Sequence, residues 1–421
     1  MLRQVLEMRD LLAVRRMSVA DLRDLQSQRL RETVRHAADR VPYYRDLFRA
    51  AGVDASSIRT AEDLRCIPVT TKADLVAAGE KARALDVETR RCTRKSTSGS
   101  TGAPLRLLST PAEDRAHNLI VFRSLLAMGF RPFDRLAVMS ALGAHQTRAY
   151  QRLGLYRSRN ISRFASPEQQ LLELQRYRPT FVWGYATVAR TLLPFVDDQL
   201  GRIVKPRVYI NAGEVLDPHL RARLREHLSA ELTDLYGSTE VGIVAAGCRA
   251  GRRLHVNADV LVLECIGDDG SFAPGELGAA VVTCLGPRAM PMIRYRVGDI
   301  FRFLDGPCPC GSPMPAMEAP IGREADGLRL PDGRRLYPGE CGAFVGCREV
   351  LQYRFTQEAP DRVRVQVVLR DEATPATMAH LRDRVAAYLG ESVQAQVEVL
   401  KEFPGHAIKF RTFVGDRAAP R

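Results

Sequence analysis

The sequence predicts an α/β protein with one large domain and one small domain. Short apolar runs typical of buried strands alternate with helical stretches between residues 135 and 283. Alternation of this kind is typical of layered α/β folds. At 421 residues the chain exceeds the size at which one hydrophobic core normally suffices, so two or more domains are expected.

The elements of the large domain follow from local patterns. Residues 1–40 carry apolar side chains at helical spacing and predict a helical lead-in. The predicted strands are 135–140, 180–184, 207–211 and 279–283, and the predicted helices are 167–178, 186–197 and 217–230.

The small domain is predicted where the composition changes. Residues 304–325 are rich in Pro, Gly and Cys, and a strand, a helix and another strand are expected after them at 362–368, 374–389 and 393–400. We therefore place a large N-terminal domain at residues 1–321 and a small, mobile α+β domain at 322–421.

Composition excludes several classes of function. The formal net charge is +13, but the arginines are spread along the chain among acidic residues, which predicts a solvated basic surface and no nucleic-acid binding. Such a surface attracts anionic substrates. No apolar run approaches the roughly 18–20 residues of a membrane helix, and the N-terminus has no apolar signal core, so we expect a cytoplasmic protein without membrane contact.

A run of small residues is the first functional signal. Residues 96–104 read Ser-Thr-Ser-Gly-Ser-Thr-Gly-Ala-Pro. Glycines allow the backbone to approach a ligand, and the hydroxyls are donors for phosphate oxygens. The pattern is neither the Gly-x-x-x-x-Gly-Lys-Ser/Thr loop nor Gly-x-Gly-x-x-Gly. Taken alone, a flexible surface linker accounts for it equally well.

Two later motifs favour a phosphate-binding loop over a flexible linker. Residues 236–242 read Tyr-Gly-Ser-Thr-Glu-Val-Gly, and residues 294–299 read Arg-Tyr-Arg-Val-Gly-Asp. In sequence and order, the three motifs resemble the nucleotide motifs of the adenylate-forming superfamily, which includes acyl- and aryl-CoA ligases. The resemblance implies a large multi-layer N-terminal domain of adenylate-forming type.

Further stretches resemble the phenylacetate–CoA ligase branch of that superfamily. They are Val-Pro-Tyr-Tyr-Arg at 41–45, Ile-Pro-Val-Thr-Thr-Lys-Ala-Asp-Leu at 67–75 and Gly-Ala-His at 143–145. The resemblance extends from about residue 35 to about residue 414. It implies an AMP-forming acid–thiol ligase. ATP and a carboxylic acid, expected from this branch to be aryl or arylacetic, give an acyl-adenylate and pyrophosphate, and CoA then displaces AMP to give a thioester.

The resemblance also implies the residues of the nucleotide site. The loop would hold the β- and γ-phosphates, Tyr236 would stack on adenine, and Asp299 would accept hydrogen bonds from the ribose hydroxyls. The complete implied set is Ser96, Thr97, Ser98, Gly99, Ser100, Thr101, Gly102, Gly213, Glu214, Tyr236, Gly237, Ser238, Thr239, Asp299 and Arg323.

Two residues are implied to be catalytic. Glu240 matches the glutamate that binds Mg²⁺, the hard dication that bridges phosphates. Lys409, in Gly405-His-Ala-Ile-Lys-Phe-Arg-Thr-Phe-Val, matches the C-terminal lysine that stabilises charge during attack on the α-phosphate. The chain departs from the family pattern at Ile408, where glycine is usual, and at Ala325, where the hinge motif has an aspartate.

The acid pocket is implied by the same resemblance. It would contain His145, Tyr150, Trp183, Tyr185 and Ala212, an aromatic wall with few charges that suits a flat aryl or short apolar acid. Each aromatic residue is equally consistent with a plain core position.

A metal site is predicted from cysteine spacing. Nine cysteines in a cytoplasmic chain argue against a disulfide framework. Cys248 and His255 are seven positions apart, and Cys308 and Cys310 form a tight Cys-x-Cys, so the four predict a tetrahedral Zn²⁺ site. A closed set of four protein ligands implies a structural role, and the alternative is four unrelated residues.

Two other functions remain open at this point. An amide synthetase would transfer the acyl-adenylate to an amine instead of CoA. A non-catalytic nucleotide-binding protein on the same fold would account for Ala325 and Ile408. The chain is expected to act as a monomer or a homodimer.

Overall fold

The computed structural model describes residue 9 and residues 11–97, 103–141, 149–196, 199–268, 270–271, 275–286, 288–403 and 410–415. The α-helices in this part of the chain are α1 Val19–Arg40, α2 Pro42–Ala50, α3 Lys72–Ala78, α4 Pro111–Ala127, α5 Ala149–Arg152, α6 Pro167–Tyr177, α7 Ala186–Phe195, α8 Leu200–Ile203, α9 Pro218–His227 and α10 Pro375–Leu389. Among them, none is long and apolar enough to cross a membrane.

Short strands make up most of the remaining regular structure. They are β1 Thr93–Ser96, β2 Arg106–Ser109, β3 Arg135–Ser140, β4 Arg157–Ser162, β5 Phe181–Gly184, β6 Val208–Ala212, β7 Glu231–Ser238, β8 Gly242–Cys248, β9 Gly251–Val256, β10 Leu261–Ile266, β11 Gly278–Cys284, β12 Tyr295–Phe301, β13 Phe303–Leu304, β14 Ala316–Met317, β15 Gly322–Arg323, β16 Leu328–Arg329, β17 Arg335–Leu336, β18 Val350–Ala359, β19 Arg362–Leu369, β20 Gln394–Leu400 and β21 Phe413–Val414. The α/β class predicted from the sequence is confirmed.

Several helices begin where a short polar side chain caps them. Ser18 accepts a hydrogen bond from the Asp21 amide at the start of α1, and the Asp21 carboxylate accepts from the Ser18 amide. The same reciprocal arrangement joins Thr110 and Glu113 at the start of α4. Each pair satisfies amide donors that an open helix end would leave without partners.

One compact unit comprises Met1–Gly129 and Leu235–Ala319. Strands β10, β11 and β12 pair antiparallel within it, as do β8 and β9. A second antiparallel pairing, of β9 with β14, sets Ala316 opposite His255. The unit's largest core includes Val244, Cys265 and Val282, all completely buried.

The other compact unit comprises Phe130–Asp234 and Pro320–Arg421. Strands β4, β3, β5 and β6 pair parallel in that order, and helices α6, α7 and α9 bury their apolar faces in the same core cluster. In its C-terminal part, β18 and β19 pair antiparallel, β20 and β21 add parallel edges, and α10 shares their core. Parallel strands with connecting helices are the α/β pattern expected from the sequence.

The chain leaves the first unit at Ala319, close to the predicted boundary between residues 321 and 322. The division into a large and a small mobile domain stays a prediction.

Candidate active site and metal centre

Two of the three nucleotide motifs meet within the first unit. Tyr236 lies near the end of β7 and is 8% exposed, and Asp299 lies on β12. The Tyr236 hydroxyl donates a hydrogen bond to Asp299 Oδ2 at 3.0 Å. The fold therefore joins two side chains that are 63 positions apart in the sequence.

The turn that carries Glu240 depends on glycine at both ends. Gly242 has a φ of +77°, a backbone conformation that side chains other than glycine rarely adopt. At Gly237 an added methyl group would overlap the Gly242 carbonyl oxygen. Between them, Glu240 Oε1 accepts a hydrogen bond from the buried Tyr295 hydroxyl at 3.4 Å. The turn is thus narrow, and its carboxylate is held by a neutral donor. Ser238 ends β7, and Thr239 lies on the same turn as Glu240.

The first motif begins at the end of β1. Thr97 donates its amide to the Leu105 carbonyl and accepts the Leu105 amide with its hydroxyl, both at 3.1 Å. Ser96 pairs with Arg106 across β1 and β2. These contacts close the base of the loop, whereas the remaining predicted residues lie outside the described part of the chain: Ser98, Gly99, Ser100, Thr101 and Gly102.

Lys95, which precedes this loop, has a carboxylate partner. Its ammonium donates to Asp114 at 2.8 Å, and Thr93 and Ser109 donate to the same carboxylate. Burial by itself would raise the pKa of Asp114, but the hydrogen bonds from Lys95, Thr93 and Ser109 hold that pKa below its usual value. Lys95, on β1, is therefore tied to the first turn of α4.

In the second unit, Glu214 lies in a network of its own. Its carboxylate accepts from Arg163 at 3.1 Å, and from the amide and hydroxyl of Thr187 at 2.6 and 2.7 Å. Gly213 has a φ of +70°, and an added Cβ there would lie 3.1 Å from the Tyr185 ring. The Arg163 guanidinium stacks on that ring at 4.1 Å. Three predicted residues, Tyr185, Gly213 and Glu214, therefore lie together.

The other predicted acid-pocket residues lie mainly near the carboxyl ends of the parallel strands. Trp183 on β5 is partly buried and pairs with Ile210 on β6, and Ala212 ends β6 with 8% exposure. Tyr150, on α5, is 42% exposed. His145 lies outside the described residues. Because ligands of parallel α/β sheets bind at the carboxyl ends of the strands, the positions of Trp183 and Ala212 suit a binding role.

The residue after Lys409 is fixed by the second unit, although Lys409 itself lies outside the described residues. The Phe410 amide donates to the Thr187 hydroxyl at 3.1 Å, the same hydroxyl that donates to Glu214. Nearby, Arg190 forms a buried ion pair with Asp217, and its guanidinium lies 5.3 Å from the centre of the Phe410 ring.

The hinge segment is exposed. Arg323 ends β15 and is exposed, as is Ala325, whereas Asp326 forms an ion pair with Arg411 at 3.3 Å. The aspartate that matches the family pattern is therefore engaged by the C-terminal segment.

The four predicted metal ligands converge in the first unit. Pairing of β8 with β9 brings Cys248 near His255, and the ligand atoms of these two residues and of Cys308 and Cys310 all lie within 4.8 Å of one another. Sγ of Cys248 and Sγ of Cys308 are 3.8 Å apart, and Sγ of Cys310 lies 3.2 Å from Nε2 of His255. The sequence spacing thus identified a set of side chains that the fold assembles.

The protonation chemistry of this cluster suits a metal. Burial lowers the pKa of His255, which favours the neutral imidazole that ligates metals. Burial raises the pKa of Cys248 to about 12, whereas a metal ion stabilises the thiolate form. His255 Nδ1 also lies 3.3 Å from the Met314 carbonyl oxygen, which orients Nε2 towards the cysteines.

Sequence reasoning missed the residues that contact Glu214 and Phe410 in the second unit. Arg163, Thr187 and Arg190 carry no motif of their own, since their roles depend on contacts across the fold. Tyr295 had a signal, because it lies inside the third motif between Arg294 and Asp299.

Comparison with solved structures shows which folds this chain resembles. A crystal structure of 2-hydroxyisobutyryl-CoA ligase in complex with 2-HIB-AMP superimposes with a TM-score of 0.81, covering 95% of this chain and 91% of that chain at 21% identity. The amide bond synthetase McbA from Marinactinospora thermotolerans matches with a TM-score of 0.53, covering 75% of this chain and 66% of that chain at 18% identity. The fold is that of the adenylate-forming enzymes.

Comparison with curated sequences finds similar enzymes. The chain is 28% identical to a phenylacetate-coenzyme A ligase of Thermus thermophilus, covering 92% of this chain and 93% of the relative. It is 28% identical to the phenylacetate-coenzyme A ligase of Escherichia coli, covering 90% and 91%. No protein-family model matches the sequence. Over about nine-tenths of its length, the chain is therefore similar to phenylacetate-coenzyme A ligases.

Proposed function

We propose that the protein activates a carboxylic acid with ATP and Mg²⁺ to an acyl-adenylate, and then transfers the acyl group to CoA. The single observation that carries the proposal is the likeness over nine-tenths of the chain to relatives that are all phenylacetate-coenzyme A ligases. The meeting of Tyr236 with Asp299, one from each of two nucleotide motifs, supports it. An aryl or arylacetic acid is the proposed substrate.

The nucleotide would be held mainly by side chains of the first unit. The Asp299 carboxylate, which accepts the Tyr236 hydroxyl, would also accept hydrogen bonds from the ribose hydroxyls. The loop 96–102 would donate to phosphate oxygens. Glu240 suits Mg²⁺ because its partner, Tyr295, is a neutral hydroxyl that leaves the carboxylate's negative charge uncompensated.

Acid activation would depend on Lys409. When a carboxylate oxygen attacks the α-phosphate, negative charge develops between the two groups, and a fixed ammonium in a site of low dielectric stabilises it. Phe410, held by Thr187 and beside Arg190, would keep the end of this segment in place during that step. Magnesium, when bound with ATP, supplies charge neutralisation of the leaving pyrophosphate.

The acid would lie among Trp183, Tyr185 and Ala212. Aromatic walls favour offset or edge contacts with a flat ring, and the small Ala212 side chain leaves room for one. The Arg163 guanidinium covers one face of Tyr185, so this ring is rigidly held. These features favour an aryl group over a long alkyl chain.

A structural Zn²⁺ at Cys248, His255, Cys308 and Cys310 is part of the proposal. The donor set is three sulfurs and one imidazole nitrogen, the composition of closed structural zinc sites. Such an ion would fix the β8–β9 hairpin to the Cys308–Cys310 loop. We expect one tightly bound zinc here, and Cys308→Ser to lose it, as measured by elemental analysis of purified protein.

The first experiment is ATP–pyrophosphate exchange with a panel of aryl, arylacetic, cinnamic and short aliphatic acids. We expect strong exchange with an aryl or arylacetic acid, and Lys409→Ala to reduce it roughly 100- to 1,000-fold, the range for losing one preorganised charge-stabilising group. Lys401→Ala is the matched control, because Lys401 is an exposed lysine in the same tail. Exchange unchanged in Lys409→Ala would refute the assignment of the activating lysine, and no exchange with any acid would favour the non-catalytic alternative.

A second candidate function is amide synthesis. The fold likeness to the amide bond synthetase McbA is the observation that favours it. Mass spectrometry of products formed from one acid with CoA, or with a panel of amines, distinguishes the two. A CoA thioester as the main product supports the ligase, and an amide formed in preference to it supports the synthetase.

A further inference from the structure

A second group of metal-ligand side chains lies in the C-terminal part of the second unit. Cys347, Glu349 and His380 place a sulfur, a carboxylate oxygen and an imidazole nitrogen within 4.8 Å of one another. Sγ of Cys347 is 3.8 Å from Nε2 of His380. None of these residues belongs to the nucleotide motifs or to the four-ligand cluster.

The separation of these atoms is close to that of ligands around one metal ion. With Zn–S of about 2.3 Å, Zn–N and Zn–O of about 2.0–2.2 Å and tetrahedral angles, ligand atoms lie roughly 3.3–3.6 Å apart. The sulfur–nitrogen distance of 3.8 Å is close to that range. In the four-ligand cluster, the Cys248–Cys308 sulfur–sulfur distance is also 3.8 Å. In both clusters, the ligand atoms all lie within 4.8 Å of one another.

The three ligands come from two parts of the second unit. The Cys347 amide donates to the Phe344 carbonyl, and the Cys347 carbonyl accepts from the Val350 amide, so two successive turns carry Cys347 and Glu349 to the start of β18. His380 comes from α10. The ligands thus meet where a loop, a strand and a helix adjoin.

Arg384 fixes the face of α10 that carries His380. Its guanidinium donates to the carbonyls of Ala343 at 2.8 Å and Val345 at 3.0 Å, in the loop that leads to Cys347. Residues four apart in a helix lie on the same face, so these bonds hold His380 over that loop. The guanidinium's hydrogen bonds go to main-chain oxygens, and the three ligands remain directed at one another.

Exposure distinguishes the two clusters. Cys347 is 4% exposed, Glu349 is partly exposed and His380 is exposed. A metal here would have a buried anchor and an open side towards solvent. Three protein ligands plus water is the arrangement of zinc sites that keep an exchangeable position.

We propose that Cys347, Glu349 and His380 form a second, open divalent-metal site, selective for Zn²⁺ and independent of the four-ligand cluster. Mixed sulfur, nitrogen and oxygen donors suit zinc among the common biological dications, whereas Mg²⁺ and Ca²⁺ require oxygen ligands. Bound zinc would join α10 to the start of β18. With three protein ligands, its zinc is expected to exchange faster than zinc in the closed cluster.

The test is the metal stoichiometry of the intact chain after saturation with Zn²⁺ and removal of unbound metal. We expect two zinc ions per chain in the wild type and one in Cys347→Ser. His380→Ala, at an exposed position where misfolding is not expected, should bind the second zinc at least about 10- to 100-fold more weakly. Brief treatment with a chelator should remove this ion first.

Two control variants lie outside the cluster. His227→Ala, in the same unit, is the control for His380→Ala. Glu340→Gln is the control for Glu349→Gln, which removes the carboxylate ligand. Both controls should keep two zinc ions. A wild-type stoichiometry of one that falls to zero in Cys308→Ser and is unchanged in Cys347→Ser and His380→Ala would overturn the open site while leaving the four-ligand site intact.

Discussion

The carboxylates predicted to serve the nucleotide occupy two contrasting environments. In the second unit, Glu214 is 5% exposed and accepts from the Arg163 guanidinium and from Thr187, so its charge is compensated inside the protein. In the first unit, Glu240 accepts from the Tyr295 hydroxyl, and it forms no ion pair within the described residues. A neutral donor orients a carboxylate without cancelling its charge.

The two environments suggest different roles for the two carboxylates: Glu214 supports the structure around it, and Glu240 is proposed to bind a ligand. Glu214 connects Arg163 to Thr187, and through Thr187 to the Phe410 amide, which makes it a positioning residue. In the proposed function, Glu240 binds Mg²⁺. Substitution of Glu214 should therefore lower the stability of the protein, whereas substitution of Glu240 should lower its activity.

The largest expected effect is on stability, from Glu214→Gln. The change leaves the buried Arg163 guanidinium without its charge partner, which should cost about 3–5 kcal/mol of unfolding free energy. Urea denaturation measures the loss. In a double-mutant cycle with Arg163→Met, the double variant should lose less than the sum of the single losses, and simple additivity would contradict the ion-pair assignment.

A smaller free-energy change, but one confined to activity, is expected from Glu240→Gln. Loss of a Mg²⁺ ligand should slow acid-dependent ATP–pyrophosphate exchange roughly 100-fold, or about 2.7 kcal/mol, with little change in melting temperature. Glu402→Gln, at an exposed glutamate, is the control. If Glu240→Gln melts earlier in proportion to its lost activity, the contrast with Glu214 is wrong.

The smallest expected effect is from Tyr236→Phe. Removing its hydroxyl deletes the hydrogen bond to Asp299 but keeps the buried ring, for a cost of about 1 kcal/mol. We expect roughly a fivefold rise in KM for ATP with kcat nearly unchanged. Tyr295→Phe is the matched variant, because it removes the hydroxyl on Glu240, and its effect should appear in the Mg²⁺ dependence of exchange.

Local patterns predicted the α/β class and several elements of the fold. The strand expected at 135–140 is β3, Arg135–Ser140, and the helix expected at 374–389 is α10, Pro375–Leu389. Apolar periodicity and capping residues act over a few neighbours, so one stretch of sequence suffices to predict such elements. The four-ligand cluster was also predictable, because a Cys-x-Cys turn and a Cys/His pair each have recognisable spacing.

By itself, the sequence determined the α/β class and the order of three motifs that resemble those of the adenylate-forming superfamily. Only the tertiary structure decided that Glu214 is compensated by Arg163, that Thr187 holds Phe410, and that His380 meets Cys347. The physical reason is the separation in sequence of the residues that interact. A motif is a property of adjacent residues, whereas charge compensation and metal coordination depend on side chains that the folded backbone brings together from distant positions.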